Sequence, residues 1–575
     1  MRRRRESEAL RALRWRHAIL GVLVLTSVLY AGFIVSWTLQ SPVATRQNGT
    51  RAELESNNES EAYDNKLRRG RPSSTQRKKL FSDNVPQDVV MDLPSNSSKV
   101  RRLKCLGWRA IAECRLNGSR LPQYDRDCNS TISDGTPGYC EVEDLDSNER
   151  FMVMKRTCDK GHKDTVFQCI HAPGFANFRA QAQQVMDKAL VPEYTLPNMD
   201  DRSTSPSQGI VMVVYPKLVA SVYATVRVLR EVLHCKLPIE IWLRSDEMNK
   251  VPGALEPLLD LERNKSAGQI TFQAIRHRQA LQFNSKVYAI FNSKFQQVLF
   301  LDADNAPVKD PSYLFKTPEF EKSGAVFWPD FWHPGQTIFG INQTSLVWQL
   351  LDMSFVDMFE QESGQILVDR KRHAAPLALV LFYAFHLPNY FNRLKLAWGD
   401  KDLFRFAWLK FGADFHMIEK LPAVAGEVTG EVFCGMTMAQ HDPRGDVIFL
   451  HRNQLKLTGN PKVENFDPRL KRVFGNVQFS QRVISEDGYP DPAIWTHLVS
   501  FREDSPRTEY IIQKHGAMNK FTGMQRCFGG RGLHKNPHFY TQEFADLNFA
   551  GLELRLREFA MNGAELQQKK INSAT

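Results

Sequence analysis

Asp302 and Asp304 close the segment Gln297-Val-Leu-Phe-Leu-Asp-Ala-Asp-Asn-Ala-Pro307, behind four consecutive apolar residues, Val298 to Leu301. The apolar run reads as a buried strand, and residues two apart on an extended chain point the same way. Both carboxylates therefore reach one cation at the strand's end. A hard Mg2+ or Mn2+ takes oxygen ligands and can hold diphosphate oxygens as well. The chemistry this suits is departure of a nucleoside diphosphate from an activated sugar, with the cation balancing the developing charge. A D-x-D pair alone is common, and its bland reading is a strand-end turn with solvated acids. Phosphatases of the haloacid-dehalogenase type also use it, in the pattern D-x-D-x-[T/V]. Here the fifth position is Ala306 and the pair lies far into the chain, which disfavours that chemistry.

Other residues fit around such a pair. His451 follows Val447-Ile-Phe-Leu450, another buried-strand pattern, and an imidazole there can complete a metal's coordination. Lys456 and Lys286, the latter in Phe283-Asn-Ser-Lys-Val-Tyr288, can meet diphosphate, although a lone Lys is more often a surface residue. Glu362 and Gln365, in Gln361-Glu-Ser-Gly-Gln-Ile366, read as the start of an apolar helix. A carboxylate there orients an acceptor hydroxyl or stabilises oxocarbenium charge, or else merely complements a helix dipole. Asp400 and Asp402 precede Leu403-Phe-Arg-Phe406 and suit a helix start, as caps or as acids facing a substrate. Phe327-Trp-Pro-Asp-Phe-Trp332 sets Trp328 and Trp332 beside Asp330 and His333. Flat rings cover the apolar faces of sugars, but a core position is equally expected of them. His441, in a His-Asp-Pro turn, is the weaker histidine ligand, and Cys527-Phe-Gly-Gly-Arg-Gly532 lacks phosphate-loop order.

The elements that must hold these residues begin near Gly209. Ile210–Val214 and Ile239–Leu243 read as strands, Ile270–Phe272 as a third, and Leu218–His234 has apolar residues at helical spacing. Strand, helix, strand in this order predicts an α/β domain with right-handed crossovers, in which ligands bind at the carboxyl ends of the strands.

The chain has 575 residues, and its net charge of +11 is unevenly spread. Residues 1–17 and 41–104 each carry +5, which leaves +1 for residues 105–575. The folded body thus has no net-charge signature of nucleic-acid binding. Ala18–Leu39 is uncharged over 22 residues, with Arg2 to Arg5, Arg11, Arg14 and Arg16 before it. That pattern predicts a single-pass signal anchor with a cytosolic tail (1–17) and a lumenal body, and favours it over a cleaved signal peptide. Residues 40–104 read as a disordered stem. Sequons at Asn48, Asn58, Asn96, Asn117, Asn129, Asn264 and Asn342 suit a lumenal location. Six cysteines between Cys105 and Cys169 suggest three disulfides in a small subdomain, 105–180, with fifteen possible pairings. Cys235, Cys434 and Cys527 are left as an odd set. A catalytic domain over 200–475 and a C-terminal extension over 476–575 complete the expected organisation.

Ordered short motifs add a family resemblance. Leu229-Arg-Glu231, Leu237-Pro-Ile-Glu-Ile241, Phe300-Leu-Asp-Ala-Asp-Asn305, Phe327-Trp-Pro-Asp330, Glu362-Ser-Gly-Gln365, Gly399-Asp-Lys-Asp402, Gln440-His-Asp-Pro443 and Leu450-His-Arg-Asn453 occur in sequence. Over roughly 205–460 the chain resembles the fungal-type Golgi α-1,2/α-1,3-mannosyltransferases, glycosyltransferase family 71. The resemblance implies a GT-A fold, that is, a Rossmann-like mixed sheet. It implies Mn2+ or Mg2+ as cofactor, GDP-mannose as donor, a mannose-bearing glycan as acceptor, and a retaining reaction. A Golgi enzyme complex or homo-oligomer would be its setting. It also implies that Asp400 or Asp402 meets a reacting sugar. Another donor such as a UDP-sugar, and a non-catalytic glycan-binding relative, are the alternatives.

Overall fold

The computed structural model describes residues 90–158, 166–199, 206–264, 268–460, 487–516 and 526–574. The expected tail, the anchor at 18–39 and most of the stem lie outside the described residues. Among the described residues no helix is long and apolar enough to cross a membrane. The stem ends earlier than expected. Val90–Asp92 is already a strand, paired with Arg150–Arg156, and Leu103–Ala110 is another.

A seven-stranded mixed sheet forms the centre. Its order is His416–Met417, Ala325–Pro329, Gln361–Asp369, Gln297–Leu301, Gln208–Val214, Ile239–Leu243, Ile270–Ala274. The last four run parallel, and Gln361–Asp369 runs antiparallel to both of its neighbours. Strands buried on both faces need apolar residues at every position, and the two faces can be read off the chain. Val211, Val213, Val298, Phe300, Ile366 and Val368 enter one core, while Ile210, Met212, Leu299, Leu301 and Leu367 enter the other. The Leu218–His234 run is helical but irregular, with an α-helix over Val219–Arg227 that widens into a π-turn at Val228–Val232.

A second sheet, antiparallel along its main path, lies beside the first. Asn305–Pro307, Val447–His451, Val432–His441, Ala423–Thr429, His497–Phe501 and Phe539–Glu543 follow one another across it. The region after residue 476 is therefore more than an appended layer, because four of its strands join this sheet. Its last helix, Leu552–Ala574, sets Leu556, Phe559 and Ala560 against Ala220, Ala224 and Val228.

The cysteine-rich region folds as a four-stranded sheet closed by Cys105–Cys128, Cys114–Cys158 and Cys140–Cys169. Its following helix, Ala172–Ala189, packs Phe178 against Phe382 and Tyr383 of the helix Ala374–Phe385. A fourth bridge, Cys434–Cys527, ties the second sheet to its small hairpin. Cys235 is free and buried. Burial, with Asp310 adding to it, pushes its thiol up to about 12. Alkylation of the native, unreduced protein should leave every thiol untouched, and unfolding without reductant should expose Cys235 alone. Peptide mapping that finds a second alkylated cysteine would contradict this pairing.

Candidate active site

The Asp302-Ala-Asp304 segment is the place where the chain leaves one sheet for the other. Asp302 ends the Gln297–Leu301 strand, its N–H donating to Gly364 O at 2.8 Å, and Asn305 turns back to Asp302 O at 3.1 Å. Asn305 then opens the second sheet, opposite His451. Arg452 N–H donates to Asp304 O at 2.9 Å, locking the two strand ends together. The register thus delivers His451 to the carboxylates, with Nε2 3.3 Å from Asp304 Oδ1. One donor atom each from Asp302, Asp304 and His451 lies within 4.8 Å of the other two.

Positive charge is packed against these acids. Lys286 is buried, in the first turn of the helix Asn284–Asn292. Its ammonium donates to Asp302 Oδ2 at 3.0 Å, Ser363 O at 2.7 Å and Ser363 Oγ at 3.0 Å, and lies 3.5 Å from Asp400 Oδ2. Burial works against its charge, but Asp302, Asp400 and Glu362 prevail and raise its pKa. Lys456 bonds Asp304 Oδ2 from the other side.

Glu362 sits in the strand Gln361–Asp369 and not at a helix start. The residues after it pair with Gln297–Leu301, and the apolar helix begins only at Ala374. Its Oε1 accepts from Gly364 N–H at 2.6 Å and lies 3.5 Å from His451 Nδ1. Burial would raise its pKa, yet His451 and Lys286 hold it at about 2. For His451 burial favours the neutral ring, and Glu362 and Asp302 overcome it, so its pKa is raised. A divalent ion must displace that proton in order to bind. Asp400 caps the helix Lys401–Phe411 by position, but its side chain makes no cap bond. Burial lifts its carboxyl to about 6, against the pull of Lys286.

The donor set fits a hard divalent cation. Asp302, Asp304, Glu362 and Asp400 face two ammonium groups, which leaves two negative charges for the ion to balance. Asp400 Oδ2, 3.5 Å from the Lys286 ammonium, is buried without a hydrogen bond, and a bound ligand would give it one.

Several expected residues stand elsewhere. Trp328 is 0% exposed; its indole donates to His441 O at 2.7 Å and packs on Phe449, so it lines no sugar surface. Gln365 is buried and accepts from Asn305 Nδ2 at 2.6 Å, which makes it a brace for the Asp304–Asn305 turn. Asp402 is buried against Arg405, 2.8 Å, and the Gln361 N–H, 3.0 Å. Burial pushes its carboxyl up, but Lys401 and Arg405 hold it low, so it is a strut rather than a reacting group. Asp330 meets Lys401 at 2.8 Å in a buried group with Glu360. Trp332 is buried too, with Lys514 over its ring at 4.6 Å. His441 is buried, and burial pushes its pKa down to about 3. Residues that went unread are Ser363 and Gly364, which hold Lys286 and Asp302, and Asn305, whose amide donates to Gly364 O at 2.8 Å. The Glu-Ser-Gly-Gln motif contained the signal, since a glycine inside a strand marks close backbone approach.

Paired carboxylates at the end of a parallel strand, with a histidine and two lysines against them, define the class: an α/β domain with an acidic cluster able to hold a divalent cation. Residues 207–345 and 349–442 match the family described as "Mannosyltransferase putative". Among curated relatives, alpha-1,2-mannosyltransferase MNN21 of Candida albicans is 26% identical over 38% of this chain and 40% of its own. Alpha-1,2-mannosyltransferase MNN2 of Saccharomyces cerevisiae is 29% identical over 28% and 32%, and MNN5 of the same yeast 26% over 46% and 51%. Over residues 207–442 the chain is thus similar to mannosyltransferases. The chain spans a third to a half of the length of these relatives. Of solved structures, the mannosyltransferase Ktr4p from S. cerevisiae is 12% identical, covering 45% of this chain and 82% of its own with a TM-score of 0.27. The galactosyltransferase LgtC, in complex with donor and acceptor sugar analogs, is 12% identical over 36% and 72%, at 0.25. These structural likenesses are slight.

Gly364 offers a sharp test of the site's packing. A Cβ there would stand 2.5 Å from His451 Nδ1 and 3.0 Å from Glu362 Oε1. Gly364→Ala should push the imidazole off the carboxylates and lower turnover about 100-fold, the usual cost of an ångström of misplacement. A variant with wild-type kinetics would contradict the placement of His451.

Proposed function

We propose that the chain is a retaining α-mannosyltransferase of GT-A architecture that moves mannose from GDP-mannose to a mannose-bearing glycan. The observation that carries this reading is the convergence of Asp302, Asp304 and His451 at the seam of two sheets, with Lys286 and Lys456 beside them. The similarity of residues 207–442 to mannosyltransferases supports mannose as the sugar. Asp302, Asp304 and His451 would hold Mn2+ or Mg2+, which as a Lewis acid stabilises the departing diphosphate. Lys286 and Lys456, paired with these acids, keep the carboxylates from repelling a donor. Asp400 Oδ2, ion-paired with Lys286 but without a hydrogen bond, accepts a sugar hydroxyl. Glu362, held ionised, keeps the imidazole aimed and adds negative charge where an oxocarbenium centre forms. A front-face displacement and a covalent intermediate on Glu362 or Asp400 both keep the anomeric configuration.

The location we propose is the lumenal face of a Golgi membrane, with residues 18–39 as anchor. The uncharged run, the seven sequons and the four disulfides support it, since disulfides persist in oxidising compartments.

With Mn2+ and an α-mannoside acceptor, the lumenal body should transfer from GDP-mannose and not from UDP-galactose or UDP-glucose. Asp302→Asn with Asp304→Asn should lower transfer about 100-fold or more while leaving the melting temperature within a few degrees. Transfer from UDP-sugars only would remove the mannose assignment, and full activity of the double variant would remove the metal site.

A further inference from the structure

Trp398 is 55% exposed and Phe283 is 49% exposed, the only tryptophan and the only phenylalanine exposed among the described residues. Exposing a large ring to water forfeits its burial free energy, so two such rings in one place ask for an occupant. They do lie in one place. A Cβ on Gly399 would fall 2.9 Å from the Phe283 ring, so Phe283 rests on the backbone between Trp398 and Asp400. Each residue also lies within three positions of a charged residue of the site. Lys286 N–H donates to Phe283 O at 3.2 Å, and the Lys286 ammonium lies 3.5 Å from Asp400.

The indole is backed and fixed. Phe339 packs on it with centroids 5.4 Å apart. Thr337 Oγ1 accepts from Phe339 N–H at 3.3 Å and donates to Glu360 at 2.6 Å. Glu360 is held in turn by Lys401, the residue after Asp400. The buried Asp330–Lys401–Glu360 group thus supports the ring's backing, and more than half of Trp398 stays open to water.

We propose that Trp398, flanked by Phe283, is the stacking platform for a pyranose ring of the acceptor glycan. The inference takes its ligand from the transfer reaction proposed above. Trp398 opens the turn that Lys401 N–H closes on Trp398 O at 3.4 Å, and only Gly399, at φ +59°, separates it from Asp400. A nucleobase would instead lie beyond the diphosphate and ribose, farther from Asp400. The donor sugar is bound inward, at the cation, whereas an exposed ring meets a glycan that arrives from solvent. The C–H face of a mannose covers the indole and leaves its hydroxyls to Asp400.

The test compares wild type, Trp398→Ala and Trp398→Phe in transfer kinetics and in NMR saturation-transfer binding of methyl α-mannobioside. The alanine variant should raise the acceptor KM about tenfold, keep the donor KM within about twofold, and lose the saturation signal, while phenylalanine restores most of both. An unchanged acceptor KM, or a rise in donor KM instead, overturns the platform even though transfer itself proceeds. A wild-type protein that transfers no mannose yet binds the mannobioside through Trp398 would overturn the transfer reading and leave the platform standing. Failure of wild type to bind the mannobioside overturns the platform.

Discussion

The structure depends on holding four carboxylates in one largely buried cluster without letting them protonate or fly apart. Asp302 is the most open of them, with 28% of its side chain exposed, and Asp304, Glu362 and Asp400 are almost covered. Burial alone would neutralise such acids. The response is visible in their titration. Glu362 is pulled far down by His451 and Lys286, while Asp400, whose facing charge is the shared Lys286, is lifted to about 6. Lys286 is the pivot, since one ammonium touches two acids and the Ser363 carbonyl.

Chain geometry makes the cluster possible. The D-x-D segment is a seam as well as a strand end, because it joins the parallel sheet to the antiparallel one. Asp302 belongs to the first sheet, and Asn305, two residues past Ala303, already pairs in the second. His451 comes from a strand more than a hundred residues later and reaches the acids only through that pairing. Gly364, from a third strand, must lack a side chain to let the imidazole in.

Strand-forming runs were legible because burial on both faces demands unbroken apolar stretches, and Gln208–Val214, Ile239–Leu243 and Val447–His451 show it. The D-x-D pair was legible from period-two spacing. Glu362 was misread because a Glu before an apolar run suits a helix start and a strand alike. The aromatic wall was sought at Trp328 and Trp332, the densest aromatic run, and both are buried. Composition does not say which face of an element meets water, and that alone separates a core indole from Trp398. Lys286 reads more often as a surface residue, since its acids lie 16 and 114 positions away in sequence. Disulfide pairing was likewise open, as spacing does not fix connectivity.

The most direct measurement is Mn2+ titration of the purified protein followed by electron paramagnetic resonance. The account predicts one tightly bound ion per chain, with nitrogen coupling from His451 that disappears in His451→Ala, and loss of the ion in Asp302→Asn with Asp304→Asn. An ion bound with undiminished affinity to the doubly substituted protein, or none bound to the wild type, would contradict it.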